Sequence, residues 1–384
     1  MRPKWCLRIL MNLMAIVGGV TFACILYFKV SASDVDNHST ENEKSAIEKL
    51  VRNQQATHPR NTPSLTHTNG TTFIEFKNNS EYRFKVDDTF TPSTCPSSMQ
   101  HKMLNNTWAK HFFRPQIQKF MHRGIFNRHE FDRLMPYSMP FGYKYTKDNV
   151  TYEELHGVLD NFGENTSIFN FSTKSRPECI SCAVVGNGGI LNGSKMGKEI
   201  DSHDMVFRVN HCIRRGHEED VGTRTTHYVF MDRSLVHTQK EDIPRDEGIR
   251  YIFLPCRKAD YKYIQATVGK PNPKQKFQTN AKNVRILHPD FVRYSHKIWE
   301  STRSFRPTTG GMMLFTALHA CDSVSVYGMG FTWQYTEHYY DNKFLRFRNV
   351  KGSHDFKKEI AIMKQLDEDG VIKWYKRDVK EWMR

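Results

Sequence analysis

The amino-acid sequence predicts an α/β domain with a mostly parallel central sheet, preceded by a membrane anchor and a flexible stem. Short β-branched or aromatic runs alternate with helical patterns from about residue 91 onward, an order that is typical of parallel sheets. The segment 91–384 is long enough for one large domain with a substantial core. The anchor is predicted from a long apolar segment, Ile9 to Phe28.

The predicted anchor decides the compartment. Residues 9–28 match the roughly 20 apolar residues that a helix needs to cross a bilayer. Basic residues lie within positions 1–8 and only Lys29 follows closely, so the positive-inside rule places 1–8 in the cytosol and the rest of the chain in the lumen. A cleaved signal peptide is the alternative, because Val30 to Ala32 would tolerate cleavage. The apolar core of a signal peptide usually has only about 7 to 15 residues, so a retained type II anchor is favoured.

Residues 29–90 are predicted to form a flexible lumenal stem, because they are rich in polar residues and lack a sustained apolar period. Two further features agree with a lumenal position. The sequence has eight N-x-S/T glycosylation sites, at Asn37, Asn69, Asn78, Asn105, Asn149, Asn165, Asn170 and Asn192. Six cysteines follow the anchor and favour disulfides in an oxidising compartment, at Cys95, Cys179, Cys182, Cys212, Cys256 and Cys321.

Metal ions and nucleic acid are not expected as partners. The C-x-x-C at Cys179 and Cys182 could form a redox pair or half of a zinc site, but no second C-x-x-C or H-x-x-x-H follows in the sequence to complete a ligand set. The net charge of +15 and the pI of about 9.4 would suit nucleic acid, which the lumen does not contain. We expect the basic surface to meet nucleotide-sugar phosphates, acidic glycans or the membrane face.

Four buried strands and two helices are predicted within the domain. Each strand is a short β-branched or aromatic run between turn residues, at Cys182 to Gly186, Asp204 to Asn210, Ile249 to Cys256 and Ser323 to Met329. The helices cover Thr308 to Cys321 and His354 to Gly370. Ligands of parallel sheets bind at the carboxyl ends of the strands, so the loops at those ends carry the candidate site.

A glycine cluster, Gly186 to Gly189, follows the first of these strands. A dinucleotide fingerprint would need glycine in place of Leu191, and a P-loop would need Lys and then Ser or Thr directly after Gly193. Small residues still let backbone amides approach a phosphate or a ribose, and Asn187 adds a side-chain donor and acceptor. The alternative is a tight strand-to-helix turn without a ligand.

A second loop, "RPTTGG" from Arg306 to Gly311, opens a helix. Its hydroxyls and free N–H groups would point at one spot that carries the positive end of the helix dipole, which predicts an anion or carboxylate site. The alternative is an ordinary threonine N-cap.

Two histidine segments complete the candidate site, "HYYD" from His338 to Asp341 and "HDFKKE" from His354 to Glu359. His354 is expected at a helix N-terminus, where the dipole keeps the ring neutral, as a general base must be. His338 could donate to a phosphate. A lone histidine is usually solvated or satisfied in a core, so it is the order of all four segments that favours a site.

Two acidic features are predicted to be structural. Glu359 follows His354 by five residues and could not share a face with it if both were helical, so a structural role is expected for Glu359 and, similarly, for Asp341. The run Asp367 to Asp369 imitates the D-x-D metal motif that many glycosyltransferases contain. It ends an amphipathic helix and is predicted to be a solvated face.

The four segments in this order resemble the sialylmotifs of the eukaryotic sialyltransferases. The large motif resembles Cys182 to about Thr226, the small motif Arg306 to about Phe331, the third His338 to Asp341 and the very small motif His354 to Glu359. The strings "GNGGILN", "EIDSHD", "DVGTRT", "RPTTG", "HYYD" and "HDF" most resemble the branch that adds sialic acid α2,6 to N-acetylgalactosamine on Ser/Thr-linked glycans. The resemblance covers about residues 179 to 375.

The resemblance implies a Rossmann-like glycosyltransferase domain, a GT-A-like variant, over residues 91–384, held at the Golgi membrane by 9–28. It implies CMP-sialic acid as the donor, an O-glycosylated glycoprotein as the acceptor, inversion of configuration and no metal cofactor. His338 would donate to the leaving phosphate, and His354 would take the proton from the acceptor hydroxyl. The nucleotide and the donor carboxylate would be held by Asn187, Gly188, Asn210, Thr308, Thr309 and Gly310.

The resemblance also implies two disulfides. Cys182 would pair with Cys321, and Cys95 with Cys179, which would leave Cys212 and Cys256 as a potential third pair. Spacing alone does not choose among the fifteen pairings that six cysteines allow.

The chain departs from this branch at three places: "RVNHC", where His211 and Cys212 replace a small residue, "HYVFMD" and "GMGFTWQYTE". These positions are expected to border the acceptor. The alternatives are therefore a sialyltransferase of another linkage, α2,8 or α2,3, and a catalytically inactive, membrane-tethered glycan-binding protein. Retention of both His338 and His354 argues against the inactive protein.

Overall fold

The computed structural model describes residues 63–77, 79–145, 149–163, 167–169, 177–270, 275–330, 334–344 and 353–377. None of the helices in these ranges is long and apolar enough to cross a membrane. The predicted tail and anchor, 1–8 and 9–28, lie outside the described residues.

The described residues form eleven strands in two sheets. The small sheet contains β1 (Ser64–Thr68), β2 (Thr71–Glu75) and β3 (Arg83–Lys85). The large sheet contains β4 (Phe120–Met121), β5 (Ser181–Val185), β6 (Met205–Val209), β7 (His227–Phe230), β8 (Arg250–Phe253), β9 (Val284–Leu287), β10 (Ser323–Tyr327) and β11 (Lys373–Trp374).

Ten α-helices are present in the described ranges, together with a π-helix, Ser295–Glu300. The α-helices are α1 (Met99–Asn105), α2 (Arg128–Leu134), α3 (Tyr152–Leu159), α4 (Gly197–Ser202), α5 (Glu218–Val221), α6 (Asp232–Val236), α7 (Lys258–Val268), α8 (Pro289–Tyr294), α9 (Thr309–Leu318) and α10 (Phe356–Glu368).

The large sheet has the strand order β11-β10-β5-β6-β7-β8-β9-β4. Seven strands run parallel, and β4 pairs antiparallel with β9 at one edge. From β5 the chain adds strands in one direction as far as β9 and then returns to place β10 on the other side of β5. The strand order therefore reverses between β5 and β10, which is where open α/β sheets bind ligands at their carboxyl ends.

Both faces of the large sheet are covered, which the near-continuous apolar strands predict. In β5, Cys182 and Val184 pack into one apolar cluster and Ala183 and Val185 into another. Helix α9 packs into the first cluster through residues such as Met312 and Leu318. The predicted α/β class and mostly parallel sheet are thus confirmed, and the four predicted strands correspond to β5, β6, β8 and β10.

The structure contains both of the disulfides that the resemblance implies, Cys95–Cys179 and Cys182–Cys321. The second bond joins β5 to the residue that lies three positions beyond the end of α9, so it links the two elements whose loops carry the candidate site.

The potential third disulfide is absent. Cys212 and Cys256 are both buried free thiols, and burial raises the pKa of each to about 11. They belong to apolar clusters on opposite faces of the large sheet. The sheet itself therefore keeps the two sulfur atoms apart.

The small sheet corrects the predicted extent of the stem. Its strands pair antiparallel within residues 64–85, inside the segment 29–90 that composition predicts to be flexible. Phe76 and Phe84 are buried, and their ring centroids lie 6.1 and 5.7 Å from that of Tyr294 in α8. Folded structure therefore begins well before residue 91. The strands are only three to five residues long, which is too short for a sustained apolar period in the sequence.

A buried carboxylate attaches the small sheet to α8. Asp290 accepts a hydrogen bond of 2.8 Å from the backbone N–H of Lys85 in β3. Arg293 donates to Asp290 at 2.6 Å and to the carbonyl of Arg83 at 2.7 Å. Asp290 and Arg293 are both at most 1% exposed. Removing β3 would therefore take one hydrogen-bonding partner away from each of two buried charged groups.

The same carboxylate belongs to a group of three potential metal ligands, Glu130, His288 and Asp290, which lies within the described part of the chain. Arg133 donates to Glu130 at 2.6 Å and to Asp290 at 2.7 Å. Its guanidinium fills the space between the two carboxylates, so this cluster is a buried salt-bridge network.

Candidate functional site

A cavity of about 230 Å³ opens at the carboxyl ends of β5, β6 and β10, where the strand order reverses. Its lining includes every site residue singled out from the sequence, namely Asn187, Gly188, Asn210, Thr308, Thr309, Gly310, His338 and His354. The fold thus brings together four segments that are separated by up to 167 positions in the sequence, from Asn187 to His354.

The glycines after β5 serve a different purpose from the one predicted. The N–H groups of Gly186, Gly188 and Gly189 donate to the carbonyls of Tyr327, Gly328 and Thr336 at 2.8, 2.8 and 3.1 Å. A Cβ atom on Gly188 would lie only 2.8 Å from the Gly328 oxygen. The glycines therefore let the β5 and β10 loops pack backbone to backbone, and these three amides are not free to hold a phosphate.

Two asparagines supply the polar groups on this side of the cavity. Asn187 donates its side-chain N–H to the carbonyl of Val209 at 3.1 Å. Asn210 has a φ of 51°, and its carbonyl accepts the hydroxyl hydrogen of Tyr228 at 2.5 Å. The amide oxygens of both asparagines are buried and accept no hydrogen bond from the described residues. Such oxygens suit a ligand that donates hydroxyl or amino hydrogens.

The N-terminus of α9 forms the opposite wall. Thr308 is the N-cap, and its hydroxyl accepts the N–H of Gly311 at 2.7 Å. Helix geometry leaves the N–H groups of Thr309 and Gly310 without a partner inside the helix, and both residues line the cavity. This turn, rather than the glycine cluster, has the donors that an anion requires.

Glu359 holds this turn in place. Its carboxylate accepts the backbone N–H of Thr308 at 2.7 Å through Oε1 and the Thr308 hydroxyl at 2.7 Å through Oε2. A Cβ atom on Gly311 would lie 2.7 Å from Oε1, so only glycine fits there. Glu359 also lines the cavity beside His354. The two residues can lie side by side because α10 begins at Phe356, so His354 is not helical and helix geometry does not separate it from Glu359.

His354 has one fixed nitrogen. Its Nδ1 lies 2.9 Å from the carbonyl oxygen of Arg306, so this nitrogen carries the hydrogen and donates it. In the neutral ring, Nε2 is then the unprotonated nitrogen. Burial lowers the pKa of His354, against the opposing effect of the hydrogen bond to Arg306. The ring is thus neutral for a different reason from the predicted one, since Asp355 and not His354 caps the helix.

His338 has a charged partner. Its Nδ1 lies 2.7 Å from the Asp341 carboxylate. Burial opposes ionisation of Asp341, but the hydrogen bond from His338 lowers the pKa of this carboxyl group. The His338 ring also stacks on Tyr340, with centroids 4.9 Å apart. Asp341 and Tyr340 therefore fix the ring so that Nε2 is the nitrogen left for a ligand.

His211, one of the departures noted in the sequence, packs behind this wall. Its ring centroid lies 5.2 Å from that of Tyr340. Burial lowers the pKa of His211, so the ring is neutral where it packs. Its place next to an acceptor stays a prediction.

Part of the cavity wall was not predicted from the sequence. Phe356, Ile360 and Met363 line the cavity from one face of α10, and Met329 lines it from the loop after β10. The three helical residues recur at the spacing of one helix face, which is the pattern of a core-facing stripe. Such a stripe cannot distinguish the wall of a cavity from packed core.

The acidic run at the end of α10 does not belong to the site. Asp367 accepts the backbone N–H of Trp374 in β11 at 2.8 Å, and Asp369 accepts a side-chain N–H of Asn106 at 2.8 Å. Neither residue lines the cavity. Both aspartates bind neighbouring elements. Asp367 is half-buried, which corrects the prediction of a solvated face at this position, whereas Glu368 and Asp369 are exposed, as predicted.

Comparison with known proteins agrees with this geometry. A sequence profile of glycosyltransferase family 29 (sialyltransferase) matches residues 120–371. The chain belongs to this family. The profile of family 29 includes the candidate site from Asn187 to Glu359.

Relatives of this family 29 chain include two alpha-N-acetylgalactosaminide alpha-2,6-sialyltransferases 1. The one from Gallus gallus is 33% identical over 88% of this chain and 66% of its own length. The one from Homo sapiens is 34% identical over 77% of this chain and 54% of its own length. The chain thus spans between about half and two thirds of the length of these relatives.

The fold is also that of a solved family structure. The crystal structure of a mammalian sialyltransferase superposes with a TM-score of 0.59 at 22% identity, over 75% of this chain and all of that chain. A likeness at this identity establishes the fold.

Proposed function

We propose that this protein transfers sialic acid from CMP-sialic acid to the 6-hydroxyl of N-acetylgalactosamine on O-linked glycoproteins. The names of its relatives support the linkage and the acceptor sugar. The observation that carries the proposal is the arrangement of His354, whose Nδ1 donates to Arg306 and whose Nε2 is therefore a proton acceptor in the cavity. The reaction inverts configuration and uses no metal cofactor.

The two walls of the cavity bind different parts of the donor. The buried amide oxygens of Asn187 and Asn210 accept hydrogens from the cytidine and its ribose. The α9 turn, with the N–H groups of Thr309 and Gly310, holds the negative charges of the donor, on the CMP phosphate and on the sialic acid carboxylate. Gly188 contributes by close packing, because its own N–H is used by Gly328.

The chemistry is a single displacement. The acceptor oxygen forms a bond to the anomeric carbon while the bond from that carbon to the phosphate oxygen breaks, and the electron pair of that bond leaves with CMP. His354 Nε2 takes the proton of the acceptor hydroxyl, and His338 donates a hydrogen bond from Nε2 to the leaving phosphate. Attack from the face opposite the phosphate inverts the configuration.

The cellular setting is also part of the proposal. Residues 9–28 anchor the chain in the Golgi membrane as a type II protein, with a catalytic domain of the GT-A-like kind in the lumen. The partners are then CMP-sialic acid, the glycoprotein acceptor and the membrane. The disulfides Cys95–Cys179 and Cys182–Cys321 agree with an oxidising lumen.

One experiment tests activity, acceptor and linkage together. The full-length chain, purified in detergent, is incubated with CMP-sialic acid and a panel of glycopeptides that carry N-acetylgalactosamine, galactose or terminal sialic acid. The linkage of each product is then mapped by mass spectrometry and linkage-specific sialidases. We expect α2,6-sialylated N-acetylgalactosamine. An α2,3 or α2,8 product would correct the linkage, and binding of glycopeptide without any transfer would replace the enzyme by a glycan-binding protein.

A further inference from the structure

Two glutamates meet behind the cavity, under the N-terminus of α9. Glu300 is the last residue of the π-helix and is completely buried. Glu359 lies on α10, is 7% exposed and lines the cavity. The two side chains come from different elements that pack together, so their meeting is a product of the fold.

The two carboxyl groups differ in their hydrogen bonds. Both oxygens of Glu359 accept hydrogens from Thr308, one from the backbone and one from the hydroxyl, each at 2.7 Å. Neither oxygen of Glu300 accepts a hydrogen from an N–H or hydroxyl group of the described residues. Burial raises the pKa of Glu359, and the hydrogen bonds from Thr308 oppose this rise because they favour its ionised form. Glu300 has no such support for a negative charge.

The carboxyl group of Glu300 lies within hydrogen-bonding reach of that of Glu359. Two carboxylates cannot form a hydrogen bond with each other, because both can only accept. One of the pair must therefore hold a proton, and the distribution of donors assigns this proton to Glu300. Protonated Glu300 can donate to Glu359, and this bond leaves Glu359 ionised and directed at Thr308.

We propose that Glu300 is a positioning residue that, in its protonated form, holds Glu359 against Thr308 and so keeps the α9 turn ready for the CMP moiety of the donor. This inference rests on the proposed function, because the cavity is taken as the donor site. Glu300 does not line the cavity and acts only through Glu359.

The surrounding charges set the direction of the pH response. Asp355, the N-cap of α10, and Lys358 in its first turn face Glu300, and Arg306 acts on Glu359 from the loop before α9. The π-helix itself carries His296 and Lys297. Burial, followed by repulsion from Glu359, raises the pKa of Glu300 well above its usual range. A raised pKa means that Glu300 keeps its proton above the pH at which an ordinary glutamate loses it, and that this proton is lost as the pH rises further.

Loss of this proton would place two negative charges side by side in a buried site. Glu359 would move away from Glu300 and release Thr308, so the affinity for CMP should fall at alkaline pH. Lys358, whose pKa burial lowers to about 8, also loses its charge as the pH becomes alkaline. A comparison of variants is therefore needed to isolate the contribution of Glu300.

The test uses CMP as the probe and isothermal titration calorimetry of the full-length chain in detergent, from mildly acidic to alkaline pH. Glu300→Gln supplies an N–H donor that cannot titrate. Glu368→Gln is the matched control, because Glu368 is exposed at the end of α10, where it pairs with Lys364 at 3.7 Å. We expect wild type and the control to lose about tenfold in CMP affinity at alkaline pH, and Glu300→Gln to lose much less.

The possible outcomes separate the two proposals. Failure of the wild type to bind CMP at any pH would contradict the proposed function. If the wild type binds CMP and the CMP affinity of Glu300→Gln has the same pH profile, the proposed role of Glu300 is wrong and the proposed function is unaffected. If the thermal transition shows that Glu300→Gln is unfolded, infrared spectroscopy of the wild type tests the protonation of Glu300 instead. A protonated-carboxyl band that persists at neutral pH and disappears as CMP affinity falls supports the role, and absence of that band refutes it.

Discussion

The two histidine segments of the cavity use the same residue in opposite electrostatic settings. His354 donates from Nδ1 to a neutral backbone carbonyl, and His338 donates from Nδ1 to the Asp341 carboxylate. A carbonyl fixes the ring orientation without adding charge, so it suits a ring that must be neutral to accept a proton. A carboxylate stabilises a ring that donates from both nitrogens. The partner of Nδ1, rather than the histidine itself, therefore decides which role Nε2 can take.

The largest effect is expected from His354→Ala. Removal of the proton acceptor should lower kcat by roughly 10²- to 10⁴-fold, because proton transfer matters in the transition state. The affinity for CMP should stay nearly unchanged, since the ring does not contact the nucleotide in the proposed mechanism. Single-turnover rates beside calorimetry with CMP measure both quantities. Near-normal turnover of this variant would assign the base to another residue.

A smaller and different effect is expected from His338→Ala. If His338 donates to the leaving phosphate, the variant should lose about tenfold in CMP affinity as well as in rate, because a hydrogen bond to a charged group contributes to both. Asp341→Asn is the companion variant and should reproduce part of this loss, since it removes the negative charge but keeps the ring. If His338→Ala lost rate but kept full CMP affinity, it would behave like His354→Ala, and the proposed contact of His338 with the phosphate would be wrong.

The pH profile sharpens the comparison. The pKa of His354 is lowered by burial, so the ring stays neutral to a lower pH than an ordinary histidine, whose pKa is about 6.5. kcat/KM should therefore fall only below that pH, by about tenfold per unit at the acidic end. The same acidic limb should remain in His338→Ala, because His354 causes it. If the limb vanishes in that variant, His338 is its source.

Chelation of metal ions should leave the turnover rate unchanged. In the proposed mechanism the leaving phosphate is stabilised by His338 and by helix N–H groups, and no step requires a metal. Turnover measured with and without EDTA should be equal within error. Loss of turnover that manganese or magnesium restores would show that a cation does the work assigned here to His338.

The position of the cavity was predictable, because the glycine cluster follows a strand end of a parallel sheet and the order of the four segments resembles the sialylmotifs. Strands β7 and β9 were not predicted, because each contains a buried polar residue. Strand β7 contains His227, whose Nε2 lies 3.0 Å from the carbonyl of Ile168, and β9 contains Arg285, which donates to Ser167 at 2.7 Å. Each polar residue breaks an apolar run, and its partner lies 59 or 118 positions away in the sequence. Only the folded chain shows that these side chains are satisfied inside a strand.

The roles of individual atoms were less predictable than the position of the site. The glycines after β5 resemble a phosphate loop in sequence, but their amides are used by β10 and by Thr336. A glycine cluster indicates that another group can approach the backbone closely, but it does not indicate whether that group is a ligand or another part of the chain. Likewise, the partners of Nδ1 in the two histidines depend on where Arg306 and Asp341 lie in space, and the Glu300–Glu359 pair joins residues that no motif connects.

The attachment of β3 to α8 has a practical consequence for protein production. A secreted, truncated chain that starts at residue 91, the boundary that composition predicts, would remove the Lys85 N–H from Asp290 and the Phe76 and Phe84 rings from Tyr294. Such a protein would be expected to misfold and to be retained by the quality control of the expressing cell. A truncated chain that starts before Ser64 keeps the whole small sheet, and it is the form to choose for crystallisation.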